Sequence, residues 1–186
     1  MLEALNTSFQ VHLQVSADEF VPMYNLAQLL AGPILAATVN SPILFGRRLW
    51  QETRIAIFQQ AVDTRPVSGA RRETLARVRF GDDWVRQSAT EIFRTDIARF
   101  RLMFSRDEPD DSIAALDAGQ IPKLTALALH NGTVYRWNRP CYGITDGKPH
   151  LRIENRYLPS GPTVLDEIAN AALWIGAMLG GGERLG

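Results

Sequence analysis

The chain has little cysteine, little lysine and no excess of charge of either sign. One cysteine, Cys141, among 186 residues excludes an internal disulfide and a zinc site built from several cysteines, and favours a reducing compartment. Twenty basic residues balance twenty acidic ones, so no overall field attracts nucleic acid or an anionic membrane. We therefore expect a cytoplasmic protein that recognises charge only locally.

Signals for export and for membrane insertion are also lacking, as are two common nucleotide-binding motifs. The start, Met1 to Asn6, does not have the basic-then-apolar order of a signal peptide. The longest apolar run, near residues 26–39, is interrupted by Gly32 and Pro33, which predicts no membrane span. Neither a Gly-x-Gly-x-x-Gly nor a phosphate-loop Gly-Lys-Ser/Thr motif occurs, so a nucleotide would have to bind in another way.

Arginine is abundant instead. Lys123 and Lys148 are the only lysines among the twenty basic residues, and the other 18 are arginines. Arginine is suited to two-pronged contact with carboxylate or phosphate groups, although a bias in codon usage explains the same count.

Hydrophobic periodicity predicts a single α+β domain with a largely antiparallel sheet. Residues 7–15 alternate as in a half-buried strand, and Ser16 with Glu19 then matches a capping box at a helix start. That helix is predicted to reach about Leu30, with Pro33 restarting or kinking it. Two further helices are predicted, over residues 84–104 and residues 164–179, the second ending at the glycines 180–182.

The connecting segments give further predictions. Asn131-Gly132 is typical of a two-residue hairpin turn, which predicts a hairpin between residues 126–130 and 133–137. The other predicted elements are a loop plus strand in residues 43–65, a turn-rich connection with one short element in 66–83, an acidic loop in 107–111, a helical turn in 113–116 and a strand over 151–158.

Three charged side chains share one face of the last predicted strand. Arg152, Glu154 and Arg156 alternate with Leu151, Ile153, Asn155 and Tyr157, so two cations and a carboxylate are held in a row at about 7 Å intervals, from a rise of roughly 3.3 Å per residue. Such a row suits ATP-driven ligation, because a carboxylate can hold Mg²⁺ and arginines can bind phosphate and substrate carboxylate. A solvated strand face with cross-strand ion pairs has the same pattern.

Other polar groups carry weaker signals. Gln10, His12 and Gln14 form a polar row on the first strand, typical either of ligands to a metal-nucleotide group or of an ordinary solvated face. The absence of a His-x-His pair and of a second cysteine argues against zinc. Arg139 and Cys141 are predicted to be structural, since no Ser/His/Asp or Cys/His set can be assembled by spacing.

Taken in order, several short segments resemble the glutamate-cysteine ligase family, in the branch shared by plant enzymes and bacterial carboxylate-amine ligases. The resemblance spans almost the whole chain, and it rests on order and spacing. Its segments are residues 7–13, Asn40-Ser41-Pro42 with Gly46 and Arg54, residues 130–133, residues 152–156, Gly161-Pro162 and residues 172–176.

The resemblance implies a fold similar to the catalytic domain of glutamine synthetase and ATP-dependent amide formation through an acyl phosphate, as in glutathione biosynthesis. By resemblance, the substrates are ATP, glutamate and a small amine, and Mg²⁺ is the cofactor. The implied roles are Gln10 and Glu154 for the metal, His12 and Arg152 for the nucleotide, Arg54 and Arg156 for the amino-acid substrate, and Arg152 and Arg156 for catalysis.

One departure from the family pattern matters. Longer members have a glutamate-rich strand that completes the metal site, whereas only Glu3 precedes Thr7 here. We therefore expect residues 1–186 to form a partial catalytic domain that lacks an N-terminal portion, is inactive alone and self-associates as a homo-oligomer. The alternatives are a non-catalytic binding or assembly module that keeps the ligase fold and, with less support, a glutamine synthetase.

Overall fold

A three-stranded antiparallel sheet is the centre of the molecule. The computed structural model describes residues 2–63, 65, 75–105 and 111–185. Strand β7 (Lys148–Asn155) lies between β1 (Val11–Val15) and β6 (Asn138–Thr145). The α+β class and the antiparallel pairing predicted from the sequence are thus confirmed.

Strands β6 and β7 form a hairpin that the sequence analysis did not predict. Its two-residue turn is Asp146-Gly147, and both residues have positive φ angles, 50° and 71°, as a tight hairpin turn requires. The hairpin predicted at Asn131-Gly132 is wrong, because those residues end helix α5 (Thr125–Gly132). Both dipeptides carry the same local turn signal, but of the two only Asp146-Gly147 lies between segments that pair with each other.

The two faces of the sheet differ in character. Val15, Ile153 and Asn155 lie on the face that is buried against helices. Helix α1 (Phe20–Thr38) contacts β6, β7 and helix α6 (Val164–Leu185), so the two helices lie together over this face. The core is built from their apolar residues and those of the sheet, including Phe20, Tyr24, Trp174, Met178, Tyr157 and Leu158.

The capping box predicted before α1 is present, in the turn that precedes the helix, but the predicted length of the helix is wrong. Ser16 and Glu19 exchange the capping-box bonds, with the Glu19 amide donating to Ser16 Oγ at 3.2 Å and the Ser16 amide donating to Glu19 Oε2 at 3.0 Å. Pro33 lies inside a continuous helix, so the predicted end near Leu30 with a restart at Pro33 is wrong. Proline removes one helical hydrogen bond. Packing of the turns on both sides of Pro33 against the core offsets this loss.

Helix α1 is also long and apolar enough to cross a bilayer by length and composition. A core helix of a soluble protein has the same two properties. Here Phe20, Tyr24, Ala27 and Ala31 are buried inside the domain.

Two other predicted elements have different bounds or type. Residues 53–61 form helix α2 (Thr53–Ala61) instead of a strand, after a small hairpin of β2 (Ile43–Leu44) and β3 (Arg47–Arg48). The third helix, α3 (Ala89–Arg99), is shorter than the predicted 84–104. It begins at a capping box of Ser88 and Glu91, which the apolar periodicity did not locate.

Helix α6 passes through Gly180–Gly182 instead of ending there. A Cβ at Gly181 would lie 2.8 Å from Leu26 Cδ2, so this glycine permits close contact between α6 and α1. Glycine here serves packing between helices, and the predicted termination is wrong.

The predicted short helix at 113–116 is confirmed as α4 (Ser112–Asp117). The short element expected in 66–83 is β4 (Val78–Arg79), which pairs in parallel with β5 (Tyr135–Arg136). Residues 66–74 and most of the predicted acidic loop 107–111 lie outside the described residues.

A buried ion pair joins β5 to α3. Arg136 donates to both carboxylate oxygens of Asp96 at 2.8 and 2.7 Å, and the two side chains are 6% and 3% exposed. A two-pronged pair of this kind holds both partners in a fixed orientation. It also fixes Arg136 at the wall of a cavity described below.

Replacing Asp96 by Asn should destabilise the protein by about 3–5 kcal/mol, because the Arg136 charge would remain buried without its partner. Urea unfolding followed by tryptophan fluorescence measures the change. Asp83→Asn is the matched control, since Asp83 faces Arg86 at 3.7 Å in an exposed pair and should unfold as the wild type does. Equal midpoints for the two variants would contradict the argument.

Candidate functional site

The antiparallel register brings polar residues of all three strands into rows on the face opposite α1. His12 and Arg139 are the two cross-strand partners of Glu154, one on each side. Gln14 and Cys141 are the partners of Arg152 in the same way. Residues directly opposite each other in an antiparallel pair project from the same face. The polar rows predicted on the first and last strands therefore belong to one patch, three strands wide.

Glu154 is the centre of this patch and is 1% exposed. Arg139 Nε donates to its Oε2. His12 Nε2 and Arg156 Nε lie 3.6 and 3.8 Å from its Oε1, and Cys141 Sγ lies 3.5 Å from its Oε2. One buried carboxylate is thus surrounded by two guanidinium groups, an imidazole and a thiol.

The patch shifts the protonation of two of these groups. Burial lowers the pKa of His12, with Glu154 opposing the shift and Arg152, Arg139 and Arg156 adding to it, so the imidazole is neutral at pH 7. Burial likewise raises the pKa of the Cys141 thiol, which therefore keeps its proton at neutral pH. Both groups are uncharged in the resting patch.

Positive charge exceeds negative charge on this face. Arg139, Arg152 and Arg156 lie around the single carboxylate of Glu154, which leaves two guanidinium charges uncompensated among the described residues. In that part of the chain, Arg152 Nε and Arg156 Nη1 are buried without a hydrogen-bond partner. Buried donors without acceptors favour the entry of an anion that supplies them.

A cavity of about 230 Å³ opens beside one end of the patch. Arg54, Arg156 and Gln10 line it, together with the ion-paired Arg136 and the aromatic residues Phe58, Tyr135 and Trp137. It combines cationic donors with an apolar wall, as sites for small polar ligands do.

A chain of hydrogen bonds holds Arg54 at this cavity. Ser41 Oγ donates to Glu52 Oε1 at 2.6 Å, and the Asn40 amide donates to Glu52 Oε2 at 3.1 Å. Arg54 Nε donates to the same Oε1 of Glu52 at 3.1 Å, and its Nη2 donates to the Tyr157 carbonyl. The Asn40-Ser41 segment thus positions Glu52, and Glu52 positions Arg54.

A second cavity, of about 150 Å³, lies at the other end of the patch. Its polar wall contains Arg139, Arg152 and Cys141, and its apolar wall comes from α3 and the α5 region through Phe93, Leu124, Leu127 and Ala128. Arg152 and Arg156 therefore border different cavities, with Glu154 between them.

The structure brings together most of the residues predicted for the site. His12, Glu154, Arg152 and Arg156 share the patch, while Gln10 and Arg54 lie at the first cavity with Arg156. The functional roles assigned to these six residues stay predictions.

Sequence reasoning missed Arg139 and Cys141 as members of the patch. A turn at Asp146-Gly147 makes Thr145 and Lys148 partners. Counting six residues away from the turn along each strand places Arg139 opposite Glu154. The Asp-Gly signal could therefore have revealed the neighbour of Glu154.

The described residues at the patch do not fit a Mg²⁺ ion by themselves. Mg²⁺ prefers six oxygen ligands and is usually held by carboxylates, phosphates and water. Glu154 is the only carboxylate in the patch, its Oε2 accepts from Arg139, and the other close donors are an imidazole and a thiol. Glu154 and Gln10 could serve as ligands only with further oxygen donors from outside this set.

Comparison with known proteins connects this arrangement to a family. A model of glutamate-cysteine ligase family 2 (GCS2) matches residues 1–179. No curated protein and no solved structure matches the chain. Since the match covers nearly the whole sequence, including the two outer strands and the central strand of the patch, the chain belongs to glutamate-cysteine ligase family 2.

Proposed function

We propose that the patch and its two cavities form the anion-binding part of an ATP-dependent carboxylate-amine ligase site in a cytoplasmic protein. The observation that carries the proposal is the excess of guanidinium charge around Glu154, with buried donors of Arg152 and Arg156 left without acceptors. Membership of a ligase family makes phosphate and carboxylate the appropriate anions.

The proposed reaction joins the glutamate side-chain carboxylate to a small amine. The carboxylate attacks the terminal phosphoryl group of ATP, forming an acyl phosphate and releasing ADP. The amine then attacks the acyl carbon, phosphate leaves, and an amide results. The protein's contribution is to position the reactants and to neutralise charge on the transferring phosphoryl group.

The two ends of the patch suit different reactants. Arg54 and Arg156 line the first cavity, where a substrate carboxylate could accept two-pronged hydrogen bonds. Arg152 lies on the far side of Glu154, where phosphate oxygens could supply the acceptors that its Nε lacks among the described residues. His12, neutral and half-exposed beside Glu154, can donate to or accept from the nucleotide.

A glutamine synthetase-like arrangement, with a curved antiparallel sheet presenting its polar face to the reactants, is part of this proposal. Mg²⁺ would neutralise ATP phosphates in such a site, and the remaining oxygen ligands would have to come from outside the described patch. The second candidate, a non-catalytic binding module, is favoured by one observation: the patch contains a single carboxylate.

Arg152→Ala should weaken ATP binding by about 10- to 100-fold, because a charge-assisted hydrogen bond contributes roughly 1.5–3 kcal/mol. Isothermal titration calorimetry with Mg²⁺-ATP measures this loss. Arg47→Ala removes an exposed arginine of β3 and serves as the control, with unchanged binding expected. Saturable ATP binding that is equally strong in Arg152→Ala would reject the nucleotide role, and absence of any binding to the wild type would favour the non-catalytic module.

Arg156→Lys should weaken glutamate binding by roughly tenfold, since a single ammonium cannot reproduce two-pronged contact with a carboxylate. Titration of glutamate in the presence of a non-hydrolysable ATP analogue reports it. The same variant should bind glutarate, which keeps both carboxylates, with a similar loss. An unchanged glutamate affinity would place the substrate elsewhere.

The purified 186-residue chain should release little or no ADP when supplied with ATP, Mg²⁺, glutamate and cysteine. One carboxylate cannot hold the metal ions of the reaction against their hydration. A coupled assay for ADP measures turnover, with each amino acid omitted in turn as a background. Robust release that depends on both amino acids would overturn this expectation, while still agreeing with ligase function.

A further inference from the structure

Cys141 lies where two other potential metal ligands converge. Its Sγ is 3.5 Å from Glu154 Oε2, and His12 Nε2 is 3.6 Å from Glu154 Oε1. One donor atom from each residue lies within 4.8 Å of the other two. Three different strands supply them, since His12 is on β1, Glu154 on β7 and Cys141 on β6.

These donors match a softer ion than Mg²⁺. Thiolate and imidazole are preferred ligands of Zn²⁺ and related thiophilic cations, whereas Mg²⁺ prefers oxygen ligands. In a tetrahedral zinc site with bonds of about 2.0–2.3 Å, neighbouring donors lie roughly 3.3–3.8 Å apart. Cys141 Sγ is at such a distance from Glu154 Oε2, and His12 Nε2 from Glu154 Oε1, so small side-chain shifts from the present separations of at most 4.8 Å would bring one donor of each residue to the ion. We propose that His12, Glu154 and Cys141 form a binding site for a thiophilic divalent cation, with Zn²⁺ as the probe.

The neighbouring arginines oppose the binding of a cation and limit its affinity. On binding, Cys141 releases its thiol proton to solvent, and the two charges of the ion are added. The local charge therefore rises by one unit, because the thiolate contributes one negative charge. That increase keeps the affinity below that of a closed zinc site built from four thiolates.

The ion pair between Arg139 and Glu154 must break for the ion to bind, and the Arg139 side chain has space to move away. Its side chain is 23% exposed and borders the second cavity, of about 150 Å³. The His12 side chain is 36% exposed, so the ion can enter from that side and keep a water molecule as its fourth ligand.

The sequence argues against zinc by pattern alone, because it contains neither a His-x-His pair nor a second cysteine. Ligand spacing along the chain is uninformative here, since residues 12, 141 and 154 meet only through strand pairing. His12 and Glu154 also belong to the proposed ligase site, but the test requires neither ATP nor an amino acid, so its failure is distinguishable from failure of the ligase proposal.

Cobalt spectroscopy on the full chain tests the site directly. Cys141 is the chain's single cysteine, so a thiolate-to-cobalt charge-transfer band can come only from this residue. We expect the band to saturate at about one equivalent of Co²⁺ and to disappear when Zn²⁺ displaces it. A wild-type protein that shows no such band would overturn the proposal.

Variants identify the other ligands. Cys141→Ser should abolish the band and weaken Zn²⁺ binding at least tenfold in competition with a chromophoric chelator, and His12→Ala should weaken it about tenfold. His150→Ala is the matched control, because His150 contacts Thr145 near the hairpin turn and should leave affinity unchanged. Far-UV circular dichroism verifies folding, and Glu154→Gln provides a second ligand variant. Affinity that falls equally in His150→Ala, or that is unaffected in Cys141→Ser, would contradict the assignment.

Discussion

The pairing of β7 with both of its neighbours is the constraint on which the rest of the molecule depends. In a strand, successive side chains point to opposite faces, so Ile153 enters the core while Glu154 joins the polar patch. A register shift of one residue would exchange these faces and place charged side chains against α1. The burial of Ile153, Asn155 and Tyr157 therefore holds the charged residues in position as well as stabilising the fold.

Burial also explains why the charges of the patch matter chemically. An exposed row of arginines and one glutamate would be screened by water, and its ion pairs would contribute little. Here Glu154 is 1% exposed, and unpartnered donors of Arg152 and Arg156 are out of contact with water. In such surroundings the described residues leave these donors unsatisfied, and the excess positive charge favours an anion.

Two rigid supports hold the walls of the first cavity. Glu52 orients Arg54 from the Asn40-Ser41 side, and Asp96 orients Arg136 from α3. In both cases a buried carboxylate forms an ion pair with a guanidinium. Glu52 is itself held by Ser41 and the Asn40 amide, whereas Asp96 accepts both prongs of Arg136. Among the described residues, the Arg156 guanidinium has a weaker support, Glu154 at 3.8 Å and contact with the Tyr135 ring.

Local sequence patterns determined the α+β class, the first strand, the capping box at Ser16 and Glu19, and the shared face of Arg152, Glu154 and Arg156. Each of these depends on residues close together in the chain, where periodicity and side-chain chemistry act directly. The ordered segments also identified the family correctly. Only tertiary structure decided which Gly-containing dipeptide makes the hairpin, why α6 passes through its glycines, and that Arg139, His12 and Cys141 meet at Glu154. Those outcomes depend on contacts between residues far apart in the chain, 142 positions for His12 with Glu154 and 155 positions for Leu26 with Gly181. A local pattern does not specify which distant strand or helix supplies the partner.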